Sequence, residues 1–138
     1  YRQFSGITKW KQEVVAFGRK HGYVTTMSGR RRRLPELTDS DKGLRARAER
    51  QAVNAVVQGT AADICKQAMV NCFDALSNTP AQMLVQVHDE LVVAVPSDSV
   101  EELQEVLVKA MGDGKVYDGI PLKVSCHSAG SWAEAKGK

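Results

Sequence analysis

The chain has 138 residues, the length of one ordinary domain, and 43% of them are hydrophobic, which excludes a chain that is disordered by composition. No apolar run approaches the roughly 20 residues that cross a bilayer, so we expect no membrane partner. The formal net charge is +3, and the basic residues cluster within 28–50, which fits either a surface that faces a polyanion or a solvated face.

Two further features concern the context of the chain. Its first residue is Tyr1 rather than Met, so we expect a processed product or part of a longer reading frame. The cysteines are odd in number and lack zinc-site spacing, which favours reduced thiols in an intracellular protein. They are Cys65, Cys72 and Cys126.

The first third of the chain predicts a helix followed by a hairpin. Apolar residues recur every three or four positions over 6–21, which indicates an amphipathic helix with Ser5 as its N-cap and Gly22 as its end. The β-branched run 23–27 and the arginine-rich run 31–34 then predict a short hairpin.

A long helical pattern begins near Gly43 and is interrupted at Gly59. Thr60 fits an N-cap, and Asp63 three residues later completes an arrangement that resembles a capping box. We therefore expect a second helix to start at Thr60 and to end near 77–80.

Two apolar runs, 83–87 and 91–95, predict a second hairpin with a polar tip. An apolar stripe over 100–111 predicts a further helix, which Ser99 caps, and 122–126 is predicted as a final strand. This order predicts an α+β fold, an antiparallel sheet with helices packed on one face, in which residues 1–138 form a single segment.

The tip of the second hairpin is the most informative stretch. Adjacent carboxylates such as Asp89 and Glu90 repel each other unless a cation or solvent relieves the repulsion. Mg²⁺ takes carboxylate oxygens and keeps waters and phosphate oxygens as other ligands, and two such ions about 3.5–4 Å apart stabilise phosphoryl transfer. That chemistry needs carboxylates from at least two chain segments. The alternative is an ordinary polar turn.

A polar stripe and an arginine run suggest a second kind of chemistry. Arg50, Asn54 and Gln58 are four residues apart, so on a helix they form one stripe. Such side chains donate hydrogen bonds to bases and sugars in a DNA groove, and the alternative is a solvated helix face. The four arginines at 30–33 fit a phosphate clamp, a targeting patch or a solvated edge strand.

Together these stretches resemble, in order and spacing, the C-terminal portion of family A (polymerase I type) DNA polymerases. The family pattern has Gly-Tyr-Val-x-Thr-x-x-Gly-Arg-Arg first, Glu-Arg-x-Ala-x-Asn-x-x-x-Gln-Gly-Thr-Ala-Ala-Asp second and Gln-Val-His-Asp-Glu-Leu last. In this chain the three motifs fall at 22–31, 49–63 and 86–91. The similarity extends over essentially the whole chain.

The resemblance implies site residues. Asp89 would be a catalytic metal ligand in the palm, with Glu90 as an auxiliary carboxylate beside the metal site and His88 near the primer terminus. The duplex would be contacted chiefly along its minor groove. The residues implied to contact the primer–template DNA are Arg30, Arg31, Arg50, Asn54, Gln58, Gln86 and His88.

The resemblance also implies an activity, that of a DNA-directed DNA polymerase that uses dNTPs and two Mg²⁺ ions. The other metal-binding aspartate of the family and its fingers helix do not occur in this chain, so an upstream polymerase segment, in the same reading frame or in a separate chain, is an expected partner. We expect the chain alone to be inactive.

The expected location is intracellular, with DNA, in a bacterial or phage-infected cytoplasm or in an organelle. Two other interpretations stay open from the sequence. One is a non-catalytic duplex-DNA-binding module or a subunit of a split polymerase, and the other is a plain α+β protein with an incidental match.

Overall fold

The structure is a computed structural model that describes residues 4–117 and 119–136. Its helices are α1 (Ser5–His21), α2 (Lys42–Leu76), α3 (Val100–Met111) and α4 (Trp132–Ala135), with a short 3₁₀ helix at Pro35–Thr38. Its strands are β1 (Tyr23–Thr25), β2 (Arg31–Arg33), β3 (Gln82–Val87), β4 (Glu90–Ala94), β5 (Val116–Tyr117) and β6 (Ile120–Pro121). The chain divides into two compact units, Tyr1–Asp63 and Ile64–Lys138.

The predicted α+β class with antiparallel strands is confirmed. Each strand pairs with its neighbour in sequence, and the result within the described residues is three two-stranded sheets, β1–β2, β3–β4 and β5–β6. Both predicted hairpins are therefore present. None of the described helices combines the length and the apolar character that a membrane span requires.

In the first unit, α1 ends where the sequence predicts. Gly22 adopts a left-handed conformation with φ 76°, and its N–H donates to the carbonyl of Gly18 at 2.8 Å. The predicted N-cap is wrong by one residue, because Phe4 occupies the cap position and makes no side-chain cap bond. The core beneath the first hairpin consists of Val24, Leu34, Leu37, Ala48 and Ala52.

Helix α2 runs without a break through Gly59, so the predicted interruption and restart are wrong. The hydroxyl of Thr60 donates to the carbonyl of Val56 at 2.6 Å within the helix instead of capping a new one. The helix begins directly after Asp41, whose Oδ1 accepts from the N–H groups of Leu44 at 2.9 Å and Gly43 at 2.6 Å. These backbone hydrogen bonds lower the pKa of the Asp41 carboxyl.

In the second unit, α2 and α3 pack through a buried cluster that supports the β3–β4 hairpin. The buried members are Cys72, Leu76, Leu103 and Leu107, and Met83, Leu91 and Val93 of the hairpin pack against them. Asn71 Nδ2 also donates to the carbonyl of Ala110 at 3.2 Å. The hairpin that carries the acidic tip therefore stands on a packed helical layer.

Two expectations for the second unit need correction. Ser99 occupies the N-cap position of α3 as predicted, but its side chain makes no cap bond, because its Oγ lies 2.9 Å from the Asp98 carboxylate. The stretch 122–126 is not a strand: β6 ends at Pro121, and among the described residues of this stretch only Leu122 makes further backbone hydrogen bonds, to Lys115 and Gly114. The N–H of Val124 donates to the side chain of Asp113 at 2.8 Å, so it does not enter a strand ladder.

Candidate functional site

The β3–β4 hairpin presents the predicted acidic residues at a two-residue turn. Val87 pairs with Glu90, so His88 and Asp89 form the turn itself. His88 has φ 56°, a left-handed conformation that costs a non-glycine residue about 1 kcal/mol. Asp89 is exposed, and within the part of the chain that the structure describes it makes no hydrogen bond or ion pair. Its carboxylate is therefore available to a ligand.

Glu90, the next residue, is partly neutralised. Its Oε2 lies 2.9 Å from Nζ of Lys136, and about half of its side chain is exposed. The same ammonium lies 5.3 Å from the ring centroid of Trp132. Because exposed ion pairs contribute only about 0–1 kcal/mol to stability, a divalent cation can displace Lys136 from Glu90 at little cost.

The acidic turn fits one part of a magnesium site. Across residues 4–117 and 119–136, no three His, Cys, Asp or Glu side chains come together as a metal-binding group. Asp89 and Glu90 nevertheless supply carboxylate oxygens, the donors that Mg²⁺ takes, and Asp89 has no partner in the described part of the chain. The turn can supply one or two ligands, and a complete site needs donors from outside it.

A small hydrogen-bond network lies beside the turn. Gln86 Nε2 donates to the carbonyl of His88 at 2.8 Å and to Sγ of Cys65 at 3.1 Å. Sγ of Cys65 in turn lies 3.6 Å from the same carbonyl oxygen and donates to it. We call these three residues the turn support. Gln86 was predicted from the resemblance to contact DNA, whereas Cys65 was not predicted to take part in the site.

The predicted polar stripe is present on the exposed surface of α2 in the first unit. Arg50, Asn54 and Gln58 are all exposed. Arg50 and Asn54 also line a groove of about 700 Å³ between α1 and α2. The apolar residues of this groove are Val15, Ala16, Ala46 and Val53, and its charged residues include Lys11, Arg19 and Glu49. Arg19 and Glu49 form an ion pair with each other.

A second groove, of about 310 Å³, lies between α2 and the first hairpin. Asn54 and Gln58 line it from the helix, and the guanidinium-bearing residues that line it are Arg30, Arg31 and Arg32. Its lining therefore combines amide groups with cationic ones, as an anionic sugar–phosphate chain requires. The predicted stripe and the predicted arginine run are thus neighbours in space.

The first hairpin is fastened to α2 through one carboxylate, that of Asp63. Its Oδ2 accepts from Ser28 Oγ at 2.5 Å and from Thr26 Oγ1 at 2.7 Å, and its Oδ1 accepts from Nε of Arg30 at 2.6 Å. We call these four residues the hairpin clasp. The hydrogen bonds from Ser28, Thr26 and Arg30 lower the pKa of Asp63 from 3.8 to about 2.

The clasp also explains why a glycine lies within α2. A Cβ added to Gly59 would stand 2.7 Å from Cγ2 of Thr26 and 3.3 Å from Nη2 of Arg30. That same Nη2 donates to the carbonyl of Gly59 at 3.1 Å. Two nitrogens of the Arg30 guanidinium, Nε and Nη2, therefore bond within the protein, and about half of the side chain is exposed. Arg31 stacks over the ring of Tyr23, 4.7 Å from its centroid.

Two residues of these sites escaped the sequence analysis. Asp63 was predicted to partner Thr60 in a capping box, although an acid in a helix together with an arginine in a preceding hairpin is a signal for the ion pair that forms. Cys65 carries no such signal, because its partners Gln86 and His88 are more than 20 positions away and only the fold shows the contact.

The predicted site residues fall in two groups. Arg30, Arg31, Arg50, Asn54 and Gln58 belong to the unit Tyr1–Asp63 and surround its grooves. Gln86, His88, Asp89 and Glu90 belong to the unit Ile64–Lys138 and form or support its acidic turn. Each group is assembled within its own unit.

Comparison with known proteins identifies the family. The sequence pattern of DNA polymerase family A matches residues 1–134. Thermostable DNA polymerase I of Thermus filiformis is 41% identical over 99% of this chain, and DNA polymerase I of Chloroflexus aurantiacus is 43% identical over 97% of it. The chain spans 16% and 14% of the lengths of these relatives.

A solved structure agrees with the sequence comparison. The POL domain of Pol1 from M. smegmatis, in complex with DNA primer-template and dNTP, is 41% identical and superposes with a TM-score of 0.84. The match covers 91% of this chain and 22% of that one. Because the family pattern matches almost the entire sequence, the chain belongs to DNA polymerase family A.

Proposed function

We propose that this chain is the C-terminal palm segment of a DNA-directed DNA polymerase, which adds dNTPs to a primer 3′ end as its template directs. The observation that carries the proposal is the similarity, across nearly the whole chain, to a polymerase domain solved with primer-template and dNTP. An exposed acidic turn and two grooves lined by cationic and amide side chains support it.

Primer–template DNA is the partner that the first unit fits. Arg50, Asn54 and Gln58 present donors at four-residue spacing along α2, which suits the acceptors on the floor of a minor groove. Minor-groove acceptors are similar in all base pairs, so such contacts hold a duplex without selecting its sequence. Arg31 extends this surface toward phosphates, and Arg30 contributes mainly by holding the hairpin in place.

The acidic turn is the part of the chain that holds metal. Asp89, with Glu90 beside it, would bind Mg²⁺ together with carboxylates of an upstream polymerase segment, in the same reading frame or in a separate chain. When bound, two Mg²⁺ ions supply the positive charge that phosphoryl transfer requires. His88 lies in the same turn, and in this proposal its side chain would lie near the primer terminus, while Gln86 holds the carbonyl of His88.

The reaction is a displacement at phosphorus. The 3′-oxygen of the primer forms a bond to the α-phosphorus of a dNTP, and the bond from that phosphorus to its bridging oxygen breaks. Pyrophosphate leaves with the electron pair, and the hydroxyl proton passes to solvent. The residues of this chain hold the duplex and the carboxylates in place, which is where most catalysis of phosphoryl transfer arises. This chemistry occurs inside the cell, with DNA.

Primer extension with Mg²⁺ and dNTPs tests the proposal. The samples are the chain alone, the intact protein that carries it, and two variants of the intact protein, Asp89→Ala and Glu105→Gln. Glu105 is a matched control because it is an exposed acid of the same unit with no hydrogen bond or ion pair among the described residues. Both variants remove one negative charge.

We expect extension by the intact protein, none by the chain alone, and a loss of at least about a thousandfold in Asp89→Ala. Glu105→Gln should extend primers at the wild-type rate. Duplex binding that needs no Mg²⁺, without extension by the intact protein, would replace the proposal with a non-catalytic binding module.

A further inference from the structure

The three members of the turn support contact one another in a closed triangle. The carbonyl oxygen of His88 accepts from Gln86 Nε2 at 2.8 Å and from Sγ of Cys65 at 3.6 Å. The third side of the triangle is the 3.1 Å contact between Nε2 of Gln86 and the sulfur. One amide group and one thiol therefore hold the backbone immediately before Asp89.

That backbone needs support. His88 has a left-handed φ of 56°, which its side chain disfavours, and the turn is exposed to solvent. The hairpin is also irregular further along, where the strand register shifts between Met83 and Val85. The pairs Gln86–Leu91 and Val87–Glu90 fix the two ends of the turn, and the side-chain contacts of Gln86 and Cys65 hold the carbonyl of His88 within it.

Gln86 cannot provide that support by itself. Its side chain is exposed and has three rotatable bonds, so many orientations compete with the one that reaches the His88 carbonyl. Cys65 is half-buried on α2, and its sulfur accepts the second N–H of the amide. A thiol both accepts and donates weakly, so it satisfies the amide and the carbonyl together.

We propose that Cys65 is a positioning residue for the acidic turn: its thiol orients Gln86, the pair holds the His88 carbonyl, and the carboxylate of Asp89 is thereby placed for metal binding. This inference rests on the proposed function for its catalytic consequence. Serine carries the same donor and acceptor on one heavy atom, whereas alanine carries neither, so the two substitutions separate hydrogen bonding from the filling of space.

The test uses the intact protein and three variants, Cys65→Ala, Cys65→Ser and Cys126→Ala. Cys126 is the matched control, because it is a half-buried thiol of the same unit that lies outside the turn support: its sulfur accepts from the backbone N–H of His127, and Gln104 Nε2 donates to its backbone carbonyl. Two quantities are measured: hydrogen exchange of the segment 86–90 without metal or DNA, and kcat and KM for primer–template in extension.

We expect Cys65→Ala to exchange faster within 86–90 and to lower kcat roughly three- to tenfold with KM for primer–template unchanged. Cys65→Ser and Cys126→Ala should match the wild type in both measurements. Exchange in 86–90 that is the same in Cys65→Ala and wild type, or a serine variant as impaired as the alanine variant, would overturn the inference.

The two proposals fail in different ways. If the wild-type protein does not extend primers, the proposed function is wrong, and hydrogen exchange alone still decides whether Cys65 holds the turn. If the wild-type protein extends primers and Cys65→Ala does so equally well, the proposed function stands and the positioning role is wrong.

Discussion

Two carboxylates of this chain, Asp63 and Asp89, occupy opposite environments. Asp63 accepts three hydrogen bonds from the first hairpin, and its pKa falls to about 2. Asp89 stands on an exposed turn and makes no hydrogen bond or ion pair to any residue that the structure describes. Asp63 holds two elements of the fold together, whereas Asp89 has no partner among the described residues.

The difference shows how one residue type serves two purposes. A carboxylate whose oxygens are saturated by protein donors fastens two elements together but has little left to offer a metal ion. A carboxylate without partners stabilises nothing in the protein, and its exposed turn even includes a strained residue, His88. Unsatisfied groups and local strain concentrate where proteins bind ligands. In the proposed function, the turn is the functional half of this comparison.

The arginines divide in the same way. Arg30 forms an ion pair with Asp63 and donates a hydrogen bond to the carbonyl of Gly59, both within the first unit. Arg50 faces a groove and has no hydrogen bond or ion pair within residues 4–117 and 119–136. The structure therefore distinguishes a cation that holds the fold from one that has no partner among the described residues.

The largest expected effect is on the clasp. Gly59→Ala places a Cβ 2.7 Å from Cγ2 of Thr26, so either the hairpin or α2 must shift, at a cost of about 1–3 kcal/mol. Gly6→Ala in α1 is the control, because its Cβ meets nothing within 4 Å and the substitution favours the helix. Hydrogen exchange over 23–33 measures the opening. Equal protection in both variants would show that the clasp is loose.

The next effect separates the two arginines. Arg50→Gln should weaken primer–template binding about tenfold at fixed salt, because it removes from the proposed duplex surface a cation that has no partner among the described residues. Arg30→Gln should change affinity by less than about threefold but speed exchange over 23–33. Fluorescence anisotropy with a labelled duplex measures the affinity for primer–template. A greater loss of affinity in Arg30→Gln would reverse the assignment of the two residues.

A smaller effect concerns pH. Because the pKa of Asp63 is depressed in the folded protein, its contribution to stability is complete above 3.8 and is lost as pH falls through about 2. The wild type should therefore melt several degrees above Asp63→Asn at neutral pH, and this gap should close between those two values. Calorimetry across the range measures it. A gap that persists below pH 2 would exclude ionisation of Asp63 as its cause.

The smallest effect is at the strained turn. His88→Gly relieves the strain of a left-handed conformation, but it also adds conformational freedom to the unfolded chain. Because these effects oppose each other, we expect the free energy of unfolding to change by less than about 0.5 kcal/mol. Primer extension should nevertheless fall, since the side chain is lost and the turn is less defined. Hydrogen exchange over 82–94 measures the stability of the hairpin, and primer extension measures the loss of activity. A large loss of protection would mean that the His88 side chain supports the hairpin.

Much of the fold follows from local sequence. The hairpins around 28–29 and 88–89 and the stop of α1 at Gly22 were predicted, because strand pattern and glycine conformation act over a few residues. The continuity of α2 was not predicted. From the local sequence, Gly59 followed by Thr60 predicts the end of one helix and the start of another. Only the packing of the hairpin against Gly59 shows that this glycine belongs to one continuous helix.

The candidate site, like the fold, was predictable from the sequence only in its local parts. The stripe of Arg50, Asn54 and Gln58 and the acidic turn follow from spacing and from the family resemblance, and the structure exposes both. The clasp of Asp63 and the contact of Cys65 with Gln86 were not predictable, because each joins residues at least 20 positions apart. Contacts of that kind are set by the packing of elements rather than by the pattern within them.

The most direct test is a crossover of two isosteric substitutions, Asp63→Asn and Asp89→Asn, each measured for thermal stability and for primer extension in the intact protein. We predict that Asp63→Asn lowers the melting temperature and leaves most of the extension rate, whereas Asp89→Asn keeps the melting temperature and abolishes extension. If Asp89→Asn extended primers normally, or if Asp63→Asn lost extension without losing stability, the division between a structural and a functional carboxylate would be wrong.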